Sequence, residues 1–183
     1  DSKDLVLWGR MEDQKGIPEL LRTLKEVAGR VSEVRLHLIG EGNMTESYRK
    51  QAEELGVADR VIFHGWMDVE AIQKFISQCA IGVFPSRIES FGLSMAEAMG
   101  AGLPIIASRV GALPEFIEDG VTGTLVPPGN IPALYRAILA KLENPDQAQA
   151  LADSGQEMVR QRFSWDQSAQ KITEIYQSVL DEI

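Results

Sequence analysis

Two glutamates, Glu89 and Glu97, flank a stretch of chain with the pattern of an anion-binding turn. An apolar strand is predicted over 80–84, a short polar loop follows, and a helix is predicted over 91–99. The first turn of a helix has backbone N–H groups without partners and the positive end of the helix dipole, so phosphate binds well there. Gly92 would let an anion approach this backbone closely, because it has no side chain.

Carboxylates next to an anion site repel the ligand unless they contact another part of it. Glu89 lies in the predicted loop, whereas Glu97 lies about two turns into the helix and points in another direction. Each carboxylate can accept hydrogen bonds from hydroxyl groups, which a sugar and a ribose supply. The pattern therefore indicates a phosphorylated ligand that also carries sugar hydroxyls. An ordinary helix start with two solvated glutamates is the alternative interpretation.

Two cations follow the first predicted strand. Arg10 comes directly after Gly9 at the strand end, and Lys15 stands five residues further on, just before a predicted helix. Arginine donates hydrogen bonds in a fork and lysine acts as a point charge, a combination that suits a diphosphate. The alternative is a pair of solvated surface cations near Glu12 and Asp13.

These segments resemble a known enzyme family. The residues from Pro85 to Pro104 read Pro-Ser-x-x-Glu-Ser-Phe-Gly-Leu-x-x-x-Glu-Ala-Met-x-x-Gly-x-Pro, which resembles the E-x7-E signature of retaining glycosyltransferases with the GT-B fold, family 4 type. The residues from Gly9 to Gly16 are similar to the G-R-x4-K-G element of the same enzymes. The resemblance covers essentially the whole chain.

The resemblance implies a role for each matched residue. Arg10 and Lys15 would bind the diphosphate of a nucleotide-sugar donor and stabilise its charge during transfer. Glu89 would contact the 3- and 4-hydroxyls of the sugar and orient it, and Glu97 would accept hydrogen bonds from the ribose. The predicted catalytic residues are Glu89, Arg10 and Lys15. The predicted donor-binding residues are Gly9, Arg10, Lys15, Gly40, Trp66, Met67, Ser90, Phe91, Gly92, Leu93 and Glu97.

Two further turns complete this set. The turn at 38–42 contains Gly40 and resembles the I-G-x-G turn that lines the donor cleft in the family, although a plain tight turn explains it equally well. The segment 61–67 resembles the V-x-F-x-G strand after which the family holds the nucleotide base. The backbone groups of Trp66 and Met67 are therefore the predicted contacts of the base edge.

Composition excludes several other functions. The net charge of −9 argues against nucleic acid as a partner. Two histidines, His37 and His64, and one cysteine, Cys79, provide neither a zinc site nor a Ser-His-Asp set, and we interpret all three as packed residues. The single cysteine excludes an internal disulfide and fits a reducing cytoplasm. The chain contains no Asp-x-Asp motif, so we expect no metal and no other cofactor.

Strands and helices alternate along the chain, and the strands are apolar almost throughout. This pattern predicts an α/β fold: a Rossmann-like, doubly wound parallel sheet of about six strands with helices on both faces and a helical C-terminal extension. Helices are predicted at 17–31, 45–55, 69–79, 113–118, 131–142, 145–162 and 165–183 in addition to 91–99. Residues 1–183 form one predicted domain. The informative loops all follow strands, so they should meet at the carboxyl edge of the sheet.

Together with the resemblance, these predictions describe the C-terminal, donor-binding half of a GT-B glycosyltransferase. It would bind a UDP-hexose, with UDP-glucose as the first candidate, for retaining transfer to an acceptor hydroxyl in polysaccharide or glycolipid biosynthesis. A sugar or lipid-linked sugar acceptor would be bound by an N-terminal domain absent from this chain. The full-length enzyme is expected in the cytoplasm, with a peripheral position at the inner face of the membrane.

Three alternatives accompany this interpretation. The chain could be a non-catalytic module that only binds sugar nucleotides, since carboxylates and cations suffice for binding. It could also resemble UDP-N-acetylglucosamine 2-epimerases, which share the GT-B fold. An NAD-binding Rossmann domain is disfavoured because Gly9 and Arg10 stand where the phosphate-binding glycine triplet would be.

Overall fold

The protein is described by a computed structural model that covers residues 2–163 and 165–181. Six strands form one sheet with the order β3-β2-β1-β4-β5-β6, and every pairing is parallel. The strands are β1 (Asp4–Trp8), β2 (Arg35–Ile39), β3 (Val61–Gly65), β4 (Ile81–Phe84), β5 (Ile105–Ser108) and β6 (Thr124–Val126). The predicted doubly wound parallel sheet is confirmed.

Helices connect the strands and extend the chain beyond the last one. They are α1 (Ile17–Ala28), α2 (Thr45–Leu55), α3 (Val69–Ile76), α4 (Leu93–Gly100), α5 (Leu113–Phe116), α6 (Ile131–Glu143), α7 (Pro145–Arg162) and α8 (Trp165–Asp181). Helix α1 packs against α2 and α6, and α4 packs against α7. The right-handed crossovers expected for parallel strands place these two groups of helices on opposite faces of the sheet.

The core follows from the apolar strands. All residues of β4 and β5 are buried, as are the last four residues of β1 and of β2. Only β3, at an edge of the sheet, is mostly half-buried. A parallel sheet needs cover on both faces, which explains why its strands are continuous apolar runs without alternation.

The chain reverses direction across the sheet between β1 and β4. The first three strands lie on one side of this point and the last three on the other. In open α/β sheets the loops after the two strands at such a switch point diverge and leave a crevice, where ligands bind. Here those loops carry the two sequence motifs singled out above.

Several predicted helix boundaries differ from the structure. The helix predicted over 91–99 begins at Leu93, because Gly92 has φ +87°, which lies outside the helical region. The helix predicted over 17–31 ends at Ala28, and the one predicted over 69–79 ends at Ile76. The last helix is described to Asp181, and its predicted end at 183 lies outside the described residues.

Helix α8 does not bury its apolar face on the sheet. Each apolar side chain of this face is more than half exposed. These residues are Ile172, Ile175, Tyr176, Val179 and Leu180.

Candidate functional site

The loops after β1 and β4 are joined backbone to backbone. The N–H of Arg87 donates to the carbonyl of Gln14 at 2.8 Å. A Cβ on Gly16, which has φ +67°, would lie 2.0 Å from the carbonyl oxygen of Pro85. Only glycine permits this approach, so the position of one motif loop depends on the other.

The loops after β1, β2 and β3 are joined in the same way. The N–H of Gly9 donates to Ile39, and the N–H of Gly40 donates to the carbonyl of Gly65 at 2.7 Å. A Cβ on Gly40, at φ +125°, would lie 2.0 Å from the carbonyl oxygen of Gly9. Close packing of the two loops therefore accounts for this glycine, which the sequence analysis assigned to the donor site.

The structure brings two of the predicted catalytic residues together. The ammonium of Lys15 forms an ion pair with Oε2 of Glu89 at 2.8 Å, although the residues are 74 positions apart. Their side chains are only 16% and 13% exposed. The pair is partly buried, so the loss of one partner would leave the other charge partly desolvated without compensation.

A hydroxyl that the sequence analysis did not select faces the same space. A Cβ on Gly9 would lie 3.9 Å from both Nζ of Lys15 and Oγ of Ser94. Ser94 is the second residue of α4. Its hydroxyl lies in the first turn of the helix predicted to bind an anion, and this position could have identified it as a phosphate contact from the sequence.

The N-terminus of α4 has no side chain as its cap. Gly92 occupies the cap position, and no side chain accepts a hydrogen bond from the first turn. Because the helix begins at Leu93, the predicted phosphate contacts Phe91 and Gly92 precede it. The Phe91 ring stacks on Phe116 at a centroid distance of 5.9 Å, so its side chain belongs to an aromatic cluster. Ser90 is exposed in the loop before it.

Arg10 is far more exposed than the Lys15–Glu89 pair. Its guanidinium pairs with Glu12 at 2.9 Å, and its side chain is 74% exposed. In this structure, Arg10 matches the alternative interpretation of a solvated surface cation near Glu12. An exposed guanidinium that pairs with Glu12 can still exchange this partner for a phosphate.

Glu97 is exposed on α4, and because the helix begins at Leu93 it lies about one turn from the helix start instead of the predicted two. Its Oε2 accepts a hydrogen bond from the indole Nε1–H of Trp8 at 2.9 Å. Trp8 is the last residue of β1 and is 4% exposed. The sequence analysis did not assign a role to this tryptophan.

Arg87 connects the Glu89 loop to the Lys15 loop and to α1. It donates to Glu19 through Nε and Nη2, and to Asp13 at 3.2 Å through Nη1. These bonds raise the pKa of Arg87, chiefly through Glu19. Arg87 stands at a variable position of the glutamate motif, so the motif gave no signal for this role.

The segment predicted to hold the base follows the edge strand β3. Trp66 is 73% exposed, whereas Met67 packs partly against the core. His37 on β2 and His64 on β3 lie side by side, with Nδ1 of His37 and Nε2 of His64 2.9 Å apart and Phe75 against both rings. Burial lowers the pKa of both histidines, which fits packed neutral side chains.

One cavity borders the predicted site, and another lies away from it. A cavity of about 820 Å³ lies beside Glu97, between α3, α4 and the end of α7. Another of about 410 Å³ lies at the amino ends of the strands, and its lining includes Lys3, Cys79 and Lys141. Burial raises the pKa of Cys79 to about 12 and lowers that of Lys141 to about 8. The second cavity contains none of the predicted site residues.

The described ranges contain neither a candidate metal site nor a candidate membrane span. No cluster of three or more His, Cys, Asp or Glu side chains suited to a metal ion occurs there. No helix in residues 2–163 and 165–181 combines the length and the apolar composition that a bilayer crossing needs.

Comparison with known proteins identifies relatives along the whole chain. An alpha-D-kanosaminyltransferase of Streptomyces kanamyceticus is 28% identical over 180 residues, 98% of this chain and 47% of that protein. A GDP-mannose-dependent mannosyltransferase of Mycolicibacterium smegmatis, which acts on phosphatidylinositol monomannoside, is 28% identical over 96% of this chain and 48% of its own length. The chain thus spans about half the length of these relatives.

Solved structures are similar over the same extent. The Anabaena protein HepE in complex with UDP-glucose matches with a TM-score of 0.87 and 27% identity, covering 97% of this chain and 49% of its own. The sequence model described as "Glycosyl transferases group 1" matches residues 1–158. The matched residues include both glutamates and both cations of the motifs, and the fold is that of GT-B glycosyltransferases. The chain belongs to the glycosyl transferases group 1 family.

Proposed function

We propose that this chain is the donor-binding half of a retaining, metal-independent glycosyltransferase of the family 4 type. Its ligand is a nucleoside diphosphate sugar, with UDP-glucose as the first candidate among the UDP-hexoses. The observation that carries the proposal is the buried Lys15–Glu89 pair beside the uncapped N-terminus of α4. It joins a cation for phosphate to a carboxylate for hydroxyls at the switch point of the sheet.

The diphosphate binds where positive groups converge. Lys15 supplies a charge, Ser94 a hydroxyl, and α4 the backbone N–H groups and the positive end of its dipole. Arg10 leaves Glu12 and adds a second cation. These groups stabilise the negative charge that develops on the leaving diphosphate, so the transfer needs no metal ion.

The sugar and the nucleoside bind on either side of the diphosphate. Glu89 accepts hydrogen bonds from sugar hydroxyls and orients the sugar, whereas Glu97 accepts from the ribose. The backbone after β3, at Trp66 and Met67, contacts the base. This arrangement places the three parts of the donor along the carboxyl edge of the sheet.

The relatives support a nucleotide-sugar donor and leave two bases to compare. HepE was solved with UDP-glucose, which favours UDP, whereas the mycobacterial relative is named for GDP-mannose. We propose that the rest of the protein binds a sugar or lipid-linked sugar acceptor, in polysaccharide or glycolipid biosynthesis at the cytoplasmic face of a membrane.

The test is calorimetric titration of the chain with UDP, GDP and ADP, followed by the matching sugar nucleotides. We expect one nucleoside diphosphate to bind, and we expect Lys15→Met to weaken its binding about 100-fold, because a buried charge contact is lost. Lys50→Met is the matched control, since Lys50 is an exposed cation on α2 that pairs with Glu54 at 3.9 Å. Binding that Lys15→Met leaves unchanged, or no binding of any of the three, contradicts the proposal.

A further inference from the structure

Trp8 connects the end of β1 to the second glutamate of the motif. Its indole Nε1–H donates to Oε2 of Glu97 at 2.9 Å across 89 positions of sequence. The side chain is 4% exposed, and the Phe84 ring packs edge-on against it with centroids 5.0 Å apart and an interplanar angle of 77°. Packing therefore fixes the direction in which the N–H points.

The indole nitrogen can only donate a hydrogen bond. A buried donor without an acceptor loses its hydrogen bonds to water without compensation, so this N–H requires a partner. The Glu97 carboxylate provides one, and bonds to an ionised acceptor are shorter and stronger than bonds between neutral groups. The contact thus fixes the Glu97 side chain as well as satisfying Trp8.

Glu97 gains a defined orientation from this contact. It lies exposed on α4, where a glutamate side chain otherwise samples many rotamers, and ordering such a chain has a cost in conformational entropy. A carboxylate offers about four acceptor positions, so one bond at Oε2 leaves most of its capacity for a ligand. A ligand that uses Glu97 then meets an acceptor that is already ordered.

We infer that Trp8 is a positioning residue for the nucleoside of the donor: by fixing Oε2 of Glu97, it aims the remaining carboxylate lone pairs at the ribose diol. The inference rests on the proposed function, in which Glu97 contacts the ribose. Trp8 acts only through Glu97 and touches no part of the ligand.

The test compares Trp8→Phe with the wild-type chain. Phenylalanine keeps an aromatic ring against Phe84 and removes the N–H. The titrants are whichever of UDP, GDP and ADP binds the wild type most tightly, and the 2′,3′-dideoxy form of the same nucleotide. We expect Trp8→Phe to weaken the ribonucleotide about fivefold and to leave the dideoxynucleotide unchanged, because only the ribonucleotide uses Glu97.

A double-mutant cycle with Glu97→Ala separates positioning from packing. If Trp8 acts through Glu97, the double variant binds the ribonucleotide as Glu97→Ala does, without a further loss. An equal loss for both nucleotides, or a further loss from Trp8→Phe in the Glu97→Ala background, would show that Trp8 only supports the fold and would overturn the inference. A wild-type chain that binds none of the nucleotides overturns the proposed function itself.

A second measurement does not depend on how well the variant folds. In the wild-type chain, we expect the NMR signal of the Trp8 indole N–H to shift when the ribonucleotide binds and to stay in place when the dideoxynucleotide binds. The same indole shift with both nucleotides would contradict the inference.

Discussion

Glu89 and Glu97 stand in one motif but are held in opposite ways. Glu89 lies in a loop, is 13% exposed at its side chain, and pairs with the cation Lys15. Glu97 lies on a helix, is exposed, and accepts from the neutral indole of Trp8. The ammonium of Lys15 thus balances the charge of Glu89. The indole of Trp8 orients Glu97 but is a neutral donor and does not balance its charge.

The difference matters because Lys15 is also the proposed contact of the diphosphate. A diphosphate at Lys15 shares that cation with Glu89, so the two compete for it unless hydroxyls of the sugar satisfy Glu89. Ribose hydroxyls at Glu97 do not compete with the indole N–H of Trp8, since that donor occupies one lone pair and leaves the others available. We therefore expect Glu89 to contribute to the affinity for the sugar. Glu97 should contribute to the affinity for the nucleoside whether or not a sugar is attached.

The largest expected effect comes from moving the Glu89 loop alone. Gly111 has φ +55°, and a Cβ there would lie 1.8 Å from the backbone oxygen of Glu89. We expect Gly111→Ala to lower the free energy of unfolding by about 3 kcal/mol, through backbone strain and the displaced loop. Chemical denaturation measures it.

Gly129→Ala is the control for this prediction. Gly129 has φ +71° but nothing lies within 4 Å of its added Cβ, so it tests the left-handed backbone without the clash. We expect a cost of about 1 kcal/mol. Equal losses for the two variants would show that Gly111 does not hold the Glu89 loop.

The next effect concerns Glu97. Replacing it with alanine should weaken the nucleoside diphosphate and its sugar derivative by the same factor, about tenfold, because both carry the same ribose. Calorimetry measures both constants, and Glu26→Ala, at an exposed position of α1, serves as the control. If Glu97→Ala weakens the two ligands by different factors, the claim that Glu97 contacts the nucleoside and Glu89 the sugar is contradicted.

The smallest effect is expected from Glu89→Gln. Removing the charge releases Lys15 from competition, so the sugar-free nucleotide should bind as well as before or up to about threefold more tightly. The sugar nucleotide should no longer bind more tightly than the sugar-free nucleotide, since the amide of glutamine is a weaker acceptor for sugar hydroxyls than the carboxylate of Glu89. The ratio of the two constants is the measurement, and equal weakening of both ligands would argue against a sugar contact at Glu89.

The sequence predicted the sheet because its strands are uniformly apolar and alternate with helical segments. The meeting of the loops after β1 and β4 followed from that topology alone. The exact helix starts were harder to predict from the sequence. Gly92 takes a left-handed conformation, which shifts the start of α4 by two residues from the predicted 91 to Leu93. Residue type suggested flexibility at Gly92 but did not reveal its φ.

Contacts between distant side chains lay beyond the sequence. The Trp8–Glu97 bond and the Arg87–Glu19 bonds join residues 89 and 68 positions apart, and neither is encoded in a local period. Arg10 stays a prediction as a site residue: a complete motif match selects it, and the structure shows its side chain exposed and paired with Glu12. Motifs record which groups a ligand uses, whereas side-chain conformation depends on the neighbours present.

The most direct test of the account is NMR mapping of backbone amides during titration with the nucleoside diphosphate sugar that binds. We predict that the perturbed amides lie at the carboxyl edge of the sheet, in residues 9–15, 65–67 and 90–94, together with the Trp8 indole. Perturbations confined to the amino edge, around Lys3, Cys79 and Lys141, would contradict the proposed donor site.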